Sequence, residues 1–323
     1  MSIKRRNLHS TLENWIMAES GLGPGIGDVH YLCSSATGAP YLWLKQRGVD
    51  SDHLHITYAA AYAALTAGRN DVLVVLPGAN VTTSALTWGK DYTHMIGATS
   101  PIMLNQRARI YTATATVSPL ITISGDGCII KNVMFDQQGS HATTAAICGK
   151  MTGDRNYLEN VTFRHIGALG VVDNSWRPFV LNSSNGENYF YKCTFGNDTV
   201  DGVTATNYTM EFNGAVETAR NVWEECIFFG NGSANSSFIL CSTTSATSSM
   251  QLFKRCLFYN NDNGDLDAMT QGFNISVNCG GQFIFMDCLV YGATTFQTSN
   301  SANLVGRNAY AAATTDSAVA LTF

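Results

Sequence analysis

Apolar positions recur along this chain at a spacing too long for one helix or one strand. Six segments align: "CIIKNVMFDQQG" from Cys128, "NYLENVTFRHIG" from Asn156, "NYFYKCTFGNDT" from Asn188, "NVWEECIFFGNG" from Asn221, "QLFKRCLFYNND" from Gln251 and "QFIFMDCLVYGA" from Gln282. One column holds Val133, Val161, Cys193, Cys226, Cys256 and Cys288, separated by 28, 32, 33, 30 and 32 residues. Two positions on stand Phe135, Phe163, Phe195, Phe228, Phe258 and Val290, and three positions earlier stand Ile130, Leu158, Phe190, Trp223, Phe253 and Phe285. Repetition at this period marks a solenoid. A coil of this length cannot bury its own apolar face, but a stack of coils shares one continuous core.

The register of the columns carries geometry. Positions 0 and +2 share a face, as a strand requires, whereas position −3 breaks that parity. The backbone must therefore bend between them. The bend falls at position −1, occupied by Asn132, Asn160, Lys192, Glu225, Arg255 and Asp287. Asn tolerates the left-handed conformation best among non-Gly residues, so the first two suit a sharp corner. The other four alternate in sign. Coils stacked about 4.8 Å apart would set each charge beside its opposite, in a ladder of exposed ion pairs. Each pair would contribute about 0 to 1 kcal/mol, and the ladder would act on register more than on stability.

A second strand lies between successive motifs: "LITIS" at 120, "AAIC" at 145, "PFVLN" at 178, "YTMEF" at 208, "SFILC" at 237 and "NISVN" at 274. Short strands joined by Gly, Asn and Ser turns complete each coil. The pattern predicts an all-β fold, a right-handed parallel β-helix. The first coil would open with "DVLVVLPG" at 71 and continue with "THMIGA" at 93. Ahead of it, Asp52 to Leu65 has helical small-residue patterning, with Gly68 as a stop. A helix there would close the raw hydrophobic end of the solenoid.

The organisation predicted is a non-repeat arm over 1–50, the β-helix over 51–290 and a tail or cap over 291–323. Within the arm, "VHYLCSS" and "PYLWLKQ" could form a hairpin around 36–40, or an extended arm. The tail ends on Leu321-Thr322-Phe323, which would cap the last coil or pack on a neighbouring subunit.

Composition changes this picture little. Of 323 residues only 13% are charged, while 45% are apolar and 11% aromatic, which excludes a disordered chain. The net charge of −5 gives no reason to expect nucleic acid. No stretch approaches the roughly 18–20 apolar residues that span a bilayer, so no membrane partner is expected. The N-terminus carries Lys4-Arg5-Arg6 without a signal peptide's apolar segment, which predicts synthesis and maturation in a cytoplasm. Nine cysteines, an odd number with no CxxC pair, argue against a disulfide framework or a zinc site.

At this point a resemblance emerges. A helix, a "GRNDVLVVLPGAN" strand and "THMIG" look like the entry of pectate-lyase-like β-helices. "CIIKNVMF" and "NYLENVTF" are similar to the coil of that superfamily, with Asn132 and Asn160 where its asparagine ladder would sit. More narrowly, "GDVHYLCSSATGAPYLW…AAYAALTAGRNDVLVVLPG" resembles β-helical proteins of tailed bacteriophages that are virion structural or capsid-decorating proteins. That resemblance implies a homotrimer bound to a major capsid protein on the virion surface, without cofactor. The alternative is a tailspike-like polysaccharide depolymerase or lyase, or a non-catalytic tail fibre or adhesin.

A glycoside hydrolase needs two carboxylates about 5 to 10 Å apart, and lyases of the resembled superfamily use a basic residue with calcium held by Asp and Glu. Glu159 and Glu224 share column −2 but lie two coils apart with Tyr191 between them. Glu224 and Glu225 are adjacent, so their side chains should point in different directions. Asp198 and Asp201 share one turn, and Arg164-His165 follows a strand; both read as polar surface. Asp262, Asp265 and Asp267 surround Gly264 at a spacing calcium accepts, without a terminal Glu, and read as a turn. His53 and His55 could face one way on a strand, with no third ligand in sight, and read as capping or packing residues. "GLGPGIGD" at 21 precedes no helix and reads as a joint, not a phosphate loop. The Cys column reads as small core hydrophobes. No catalytic, cofactor-binding or metal-ligating residue is therefore assigned, and a polysaccharide ligand is possible but not indicated.

Overall fold

A computed structural model describes residues 27–139, 146–165, 176–182, 186–196, 207–214, 218–230, 232, 234–241, 247–260, 269–276, 279–297, 304–307, 310–312 and 319–320, with the main chain alone at 165, 310–312 and 319–320. Three long sheets run side by side through it, with 11, 10 and 7 strands. Their strands follow one another in the order A, B, C along each turn of the chain, and the turns wind into a right-handed parallel β-helix.

The repeat columns map onto this frame. Sheet A carries Ile129–Lys131, Tyr157–Glu159, Tyr189–Tyr191, Thr218–Glu224, Thr247–Lys254 and Gln282–Met286, so that Ile130, Leu158, Phe190, Trp223, Phe253 and Phe285 stack in register. Sheet B carries the +2 column, with Phe135, Phe163, Phe195, Phe228, Phe258 and Val290 in register. Sheet C consists of the second strands, from Leu86–Trp88 through Ile147–Met151, Arg177–Leu181 and Tyr208–Phe212 to Ser237–Cys241 and Phe273–Ile275. The inward columns of the three sheets form one core. Within it Phe190, Trp223 and Phe253 stack nearly parallel, with centroids 5.3 and 4.5 Å apart. Gly149 sits where sheet C meets the Phe column: a Cβ there would lie 2.4 Å from the Phe163 ring and 2.8 Å from that of Phe179.

The bend between sheets A and B is a single left-handed residue. Asn132, Asn160, Lys192, Glu225, Arg255 and Asp287 all have φ between 51° and 56°. The corner is thus adopted by charged residues as well as by Asn, because the parity change must be made once per coil whatever the side chain. A second, unanticipated ladder lies buried at the start of sheet A. Asn156 accepts from the Cys128 N–H at 2.8 Å, Asn188 from the Asn156 N–H and Asn221 from the Asn188 N–H, both at 2.9 Å. These side chains satisfy amides that the turns leave unpaired.

The ends differ from expectation. Val29–Leu32 and "APYLWLKQ" do not form a hairpin. The first is a parallel strand of sheet A, paired with Val72–Val75, and the second is helix α1, Ala39–Gln46. Leu44 of α1 packs with Val29, Tyr31, Val72, Val74 and Ile96 on the outer face of the sheet. The strand at 72 therefore does not open the solenoid: Val29–Leu32 and the two-residue strand Leu54–His55 lie above it. The helical stretch is shorter than its pattern, α2 running Tyr58–Ala64 after a 3-10 turn at Ser51–His53. It does cap the core. Tyr58, Ala61 and Leu65 pack with Leu32, Leu73 and Trp88, and Lys90 Nζ holds the carbonyls of Tyr62 and Ala63 at 2.7 and 3.1 Å. At the other end Leu304–Arg307 and Tyr310–Ala312 continue sheets A and B in parallel, and Val319–Ala320 pairs antiparallel on the edge.

Candidate functional site

The outward faces of the coils carry the chemistry that a ligand or partner would meet. Three of the four charges at the corner beside sheet A, Lys192, Glu225 and Arg255, pair as their alternation predicts. Lys192 Nζ lies 3.8 Å from Glu225, and Arg255 Nη2 lies 2.8 Å from the same carboxylate. Asn160 donates to Asn132 Oδ1 at 2.9 Å, extending the ladder through its uncharged members. One expectation fails here. Glu224 and Glu225 do not diverge: both carboxylates reach the Arg255 guanidinium. Glu159 binds Lys131 at 2.8 Å and the Tyr157 hydroxyl at 3.1 Å, while Glu224 binds Lys254 at 3.0 Å and the Tyr189 hydroxyl. The Tyr189 hydrogen bond and the Lys254 ammonium hold Glu224 below the usual carboxylate range. A general acid needs the opposite shift.

Sheet C offers a more enclosed group. Glu211 points outward but is only 6% exposed. It accepts from Arg177 Nε, and that guanidinium lies 5.0 Å over the Tyr208 ring. In register with Glu211 stand Lys150, Val180, Leu240 and Asn274, so the face presents one carboxylate among apolar, amide and cationic neighbours. Sequence reasoning missed this pair. The signal available was a charge inside each of two otherwise apolar runs, "RPFVL" and "YTMEF".

Sheet B divides into two regions. Toward the N-terminus Asp136 is fully buried although it faces outward. Arg109 Nη1 lies 3.9 Å from it and Gln138 donates at 2.7 Å. The segment 99–107 drapes over the next coils: the Met103 carbonyl accepts from Thr162 and Thr194, and Asn105 accepts from Arg164 at 2.9 Å. That places Arg164 in a surface contact; the side chain of His165 lies outside the described residues. Toward the C-terminus the outward positions become apolar. Ile227, Leu257 and Leu289 form one column, and Phe229, Tyr259 and Tyr291 the next. Leu289 is 41% exposed, and the Tyr259 and Tyr291 rings stack at 5.2 Å. Neither column carries a charge over three consecutive coils; Phe229 is buried, Ile227, Leu257, Tyr259 and Tyr291 are half-buried, and Leu289 is the most open point of the strip.

The cysteine count did not anticipate one pair: Cys241 and Cys279 form a disulfide across 38 residues. The other seven are free and buried. Cys193, Cys226, Cys256 and Cys288 each place Sγ 3.3 to 3.5 Å from the carbonyl of the inward residue one coil earlier, which agrees with their reading as core residues. Burial holds the Cys148 and Cys226 thiols well above their ordinary range, so neither is a nucleophile. His53 and His55 do acquire a third imidazole, His30, hidden in the "VHYL" strand. No group of three or more His, Cys, Asp or Glu side chains among the described residues is arranged to hold a metal ion. The Asp198/Asp201 turn, the Asp262–Asp267 loop and residues 21–26 lie outside the described residues.

No family model matches the chain, and no curated protein matches it. Solved structures do. The pectin methylesterase PemA from Erwinia chrysanthemi aligns at 13% identity over 89% of this chain and 90% of its own, with a TM-score of 0.53. The pectate lyase Pel9A aligns at 13% identity over 85% of this chain and 65% of its own, with a TM-score of 0.54. These neighbours share the pectate-lyase-like parallel β-helix fold with this chain. At such identity the likeness is one of fold alone. The ORF18 protein of Geobacillus virus E2 aligns at 12% identity over 83% of this chain and 60% of its own, but a TM-score of 0.33 carries no argument.

Proposed function

We propose that this protein is a non-enzymatic structural component of a tailed-bacteriophage virion, a homotrimer that decorates the capsid by binding the major capsid protein. The observation that carries the reading is the apolar strip of sheet B, from Ile227 to Tyr291. Outward residues of a β-helix need only be soluble, and in these coils they are Leu, Ile, Phe and Tyr. Such a face is what a subunit keeps for its own copies. The ion-paired corner supports the reading as well, since it engages Glu159, Glu224 and Glu225 in fixed structural contacts. The sequence resemblance of residues 27–97 to virion proteins gives the setting. A rigid rod that presents several identical docking surfaces turns weak capsid contacts into firm attachment.

The test is light scattering of the purified protein, followed by negative-stain imaging with capsids that lack it. The expected result is a trimer that occupies regular lattice positions, and a Leu289→Lys, Tyr259→Glu variant that stays monomeric. A monomeric parent, or one that ignores capsids, would overturn the reading.

A second reading rests on Arg177 and Glu211, a largely buried outward-facing pair beside Tyr208 in a fold shared with enzymes whose names denote action on pectin and pectate. It places a polysaccharide on sheet C. Cleavage or de-esterification of such a polymer by the parent, abolished by Glu211→Gln, would establish it.

A further inference from the structure

The end of the solenoid that α2 covers also holds three imidazoles in mutual contact. His30 lies on the core side of Val29–Leu32, in register with Leu73 one coil below, and is buried. The chain returns at 51–55 to lay Leu54 and His55 alongside Tyr31 and Leu32. His30 Nδ1 and His55 Nε2 are 3.2 Å apart. The His53 ring stacks on His30 at 4.7 Å with planes 10° apart, and its Nδ1 donates to the Val29 carbonyl at 2.7 Å.

A hydrogen bond between two imidazole nitrogens needs one lone pair, so one of His30 and His55 must be neutral. Stacked rings aim their nitrogens side by side and not at a common point, which suits a proton and not a metal. The surrounding charges do little to neutralise a second proton. Asp28 and Asp71 are both engaged by Arg69, at 2.7 Å each. Asp52 is exposed and bears on His55. The α2 segment "YAAAYAA" contributes no charge, and α1, with Lys45 and Arg47, lies across the opposite face of the strand.

We propose that His30, His53 and His55 form a proton-operated latch that holds residues 51–65, including the capping helix, on the first coil and releases them on acidification. When neutral, the rings join the returning strand to Val29–Leu32. When His30 and His55 are both charged, their hydrogen bond is lost, and a charge on His53 sits face to face with that on His30. Release would uncover the edge of Val29–Leu32 and the core residues Leu32, Leu73 and Trp88 beneath α2.

The pH window follows from the rings themselves. Burial, then the charges of His53 and His55, lower His30 from 6.5 to about 4, and burial also lowers His55. The open state therefore takes up protons that the closed state refuses as pH falls from 6.5 toward about 4. Asp71 does not share this window. Burial alone would raise it, but Arg69 and the N–H groups of Asp28 and Thr66 outweigh burial and hold it below 3.8.

The experiment is hydrogen exchange read by mass spectrometry on the full chain across that window, corrected for the intrinsic pH dependence of exchange. Opening of 51–65 should rise about tenfold per pH unit for each proton taken up, while the interior strand Tyr157–Glu159, which opens only with the whole fold, stays far better protected at every pH. His55→Gln should flatten the pH dependence, and His30→Leu should do so even if His55→Gln loosens the segment at every pH. A parent whose 51–65 protection is constant over the window overturns the proposal. So does a variant pair that keeps the parent's transition.

Discussion

The corner at Glu225 allows backbone geometry and ion pairing to be separated by two substitutions. Glu225 sits at φ 55°, a conformation that costs an ordinary L-residue roughly 1–2 kcal/mol and Asn much less. Its carboxylate pairs with Arg255 at 2.8 Å and Lys192 at 3.8 Å, and the cationic side chains are 43% and 55% exposed. Pairs so exposed contribute about 0.2–1 kcal/mol each, and Arg255 retains Glu224 when Glu225 is removed. Glu225→Asn should therefore relieve about 1 kcal/mol of backbone cost and lose about as much in pairing, leaving stability unchanged within roughly 1 kcal/mol. Glu225→Val loses the same pairs and places a β-branched residue in the left-handed region, so it should cost about 2–3 kcal/mol. Urea unfolding at low and high salt measures both. If geometry governs, the two variants differ by about 2 kcal/mol or more and salt leaves that gap intact. Equal losses in both, abolished by salt, would refute the corner argument and make the ladder a purely electrostatic device.

Three further outcomes are expected. Replacing Cys241 and Cys279 by Ser opens a loop of 38 residues and should cost about 2–4 kcal/mol in urea unfolding; a reductant acting on the parent should reproduce the loss. Gly149→Val drives a side chain into the Phe163 and Phe179 rings and should cost at least about 1–3 kcal/mol by thermal melting, whereas Lys150→Val, on the outward face, should cost under about 1 kcal/mol. Global stability should fall as pH drops from 6.5 to about 4, because burial holds His94 as well as His30 near 4 and the unfolded chain binds those protons first. Each imidazole accounts for at most about 3 kcal/mol, fully present above 6.5, and His94→Gln should remove one share in a pH series of urea melts. His94 is the clearer case, since its Nδ1 accepts from the Ile129 N–H at 3.1 Å and cannot do so once protonated.

The solenoid is written in the repeat. The inward columns, the corner at position −1 and the alternation of charge along it are properties of a repeat, and a repeat states its own neighbours: whatever stands at one position stacks on its counterpart one coil away. That is why the pairing of Lys192, Glu225 and Arg255 was legible in the repeat. What escaped were contacts between residues that the repeat does not relate. Val29–Leu32 joins sheet A from outside the periodic region, so neither its partner nor the placing of His30 against His53 and His55 could be read from spacing. Cys241 and Cys279 lie outside the Cys column, and only the fold brings them together. Arg177 and Glu211 sit in strands whose inward face was legible, but pairing across an outward face depends on which side chains the surrounding chain covers. The apolar strip on sheet B is the sharpest instance. Leu289 and Tyr291 read as two more hydrophobic residues in a strand, and only the closed core, already filled by Val290 and its column, shows that they face away from it.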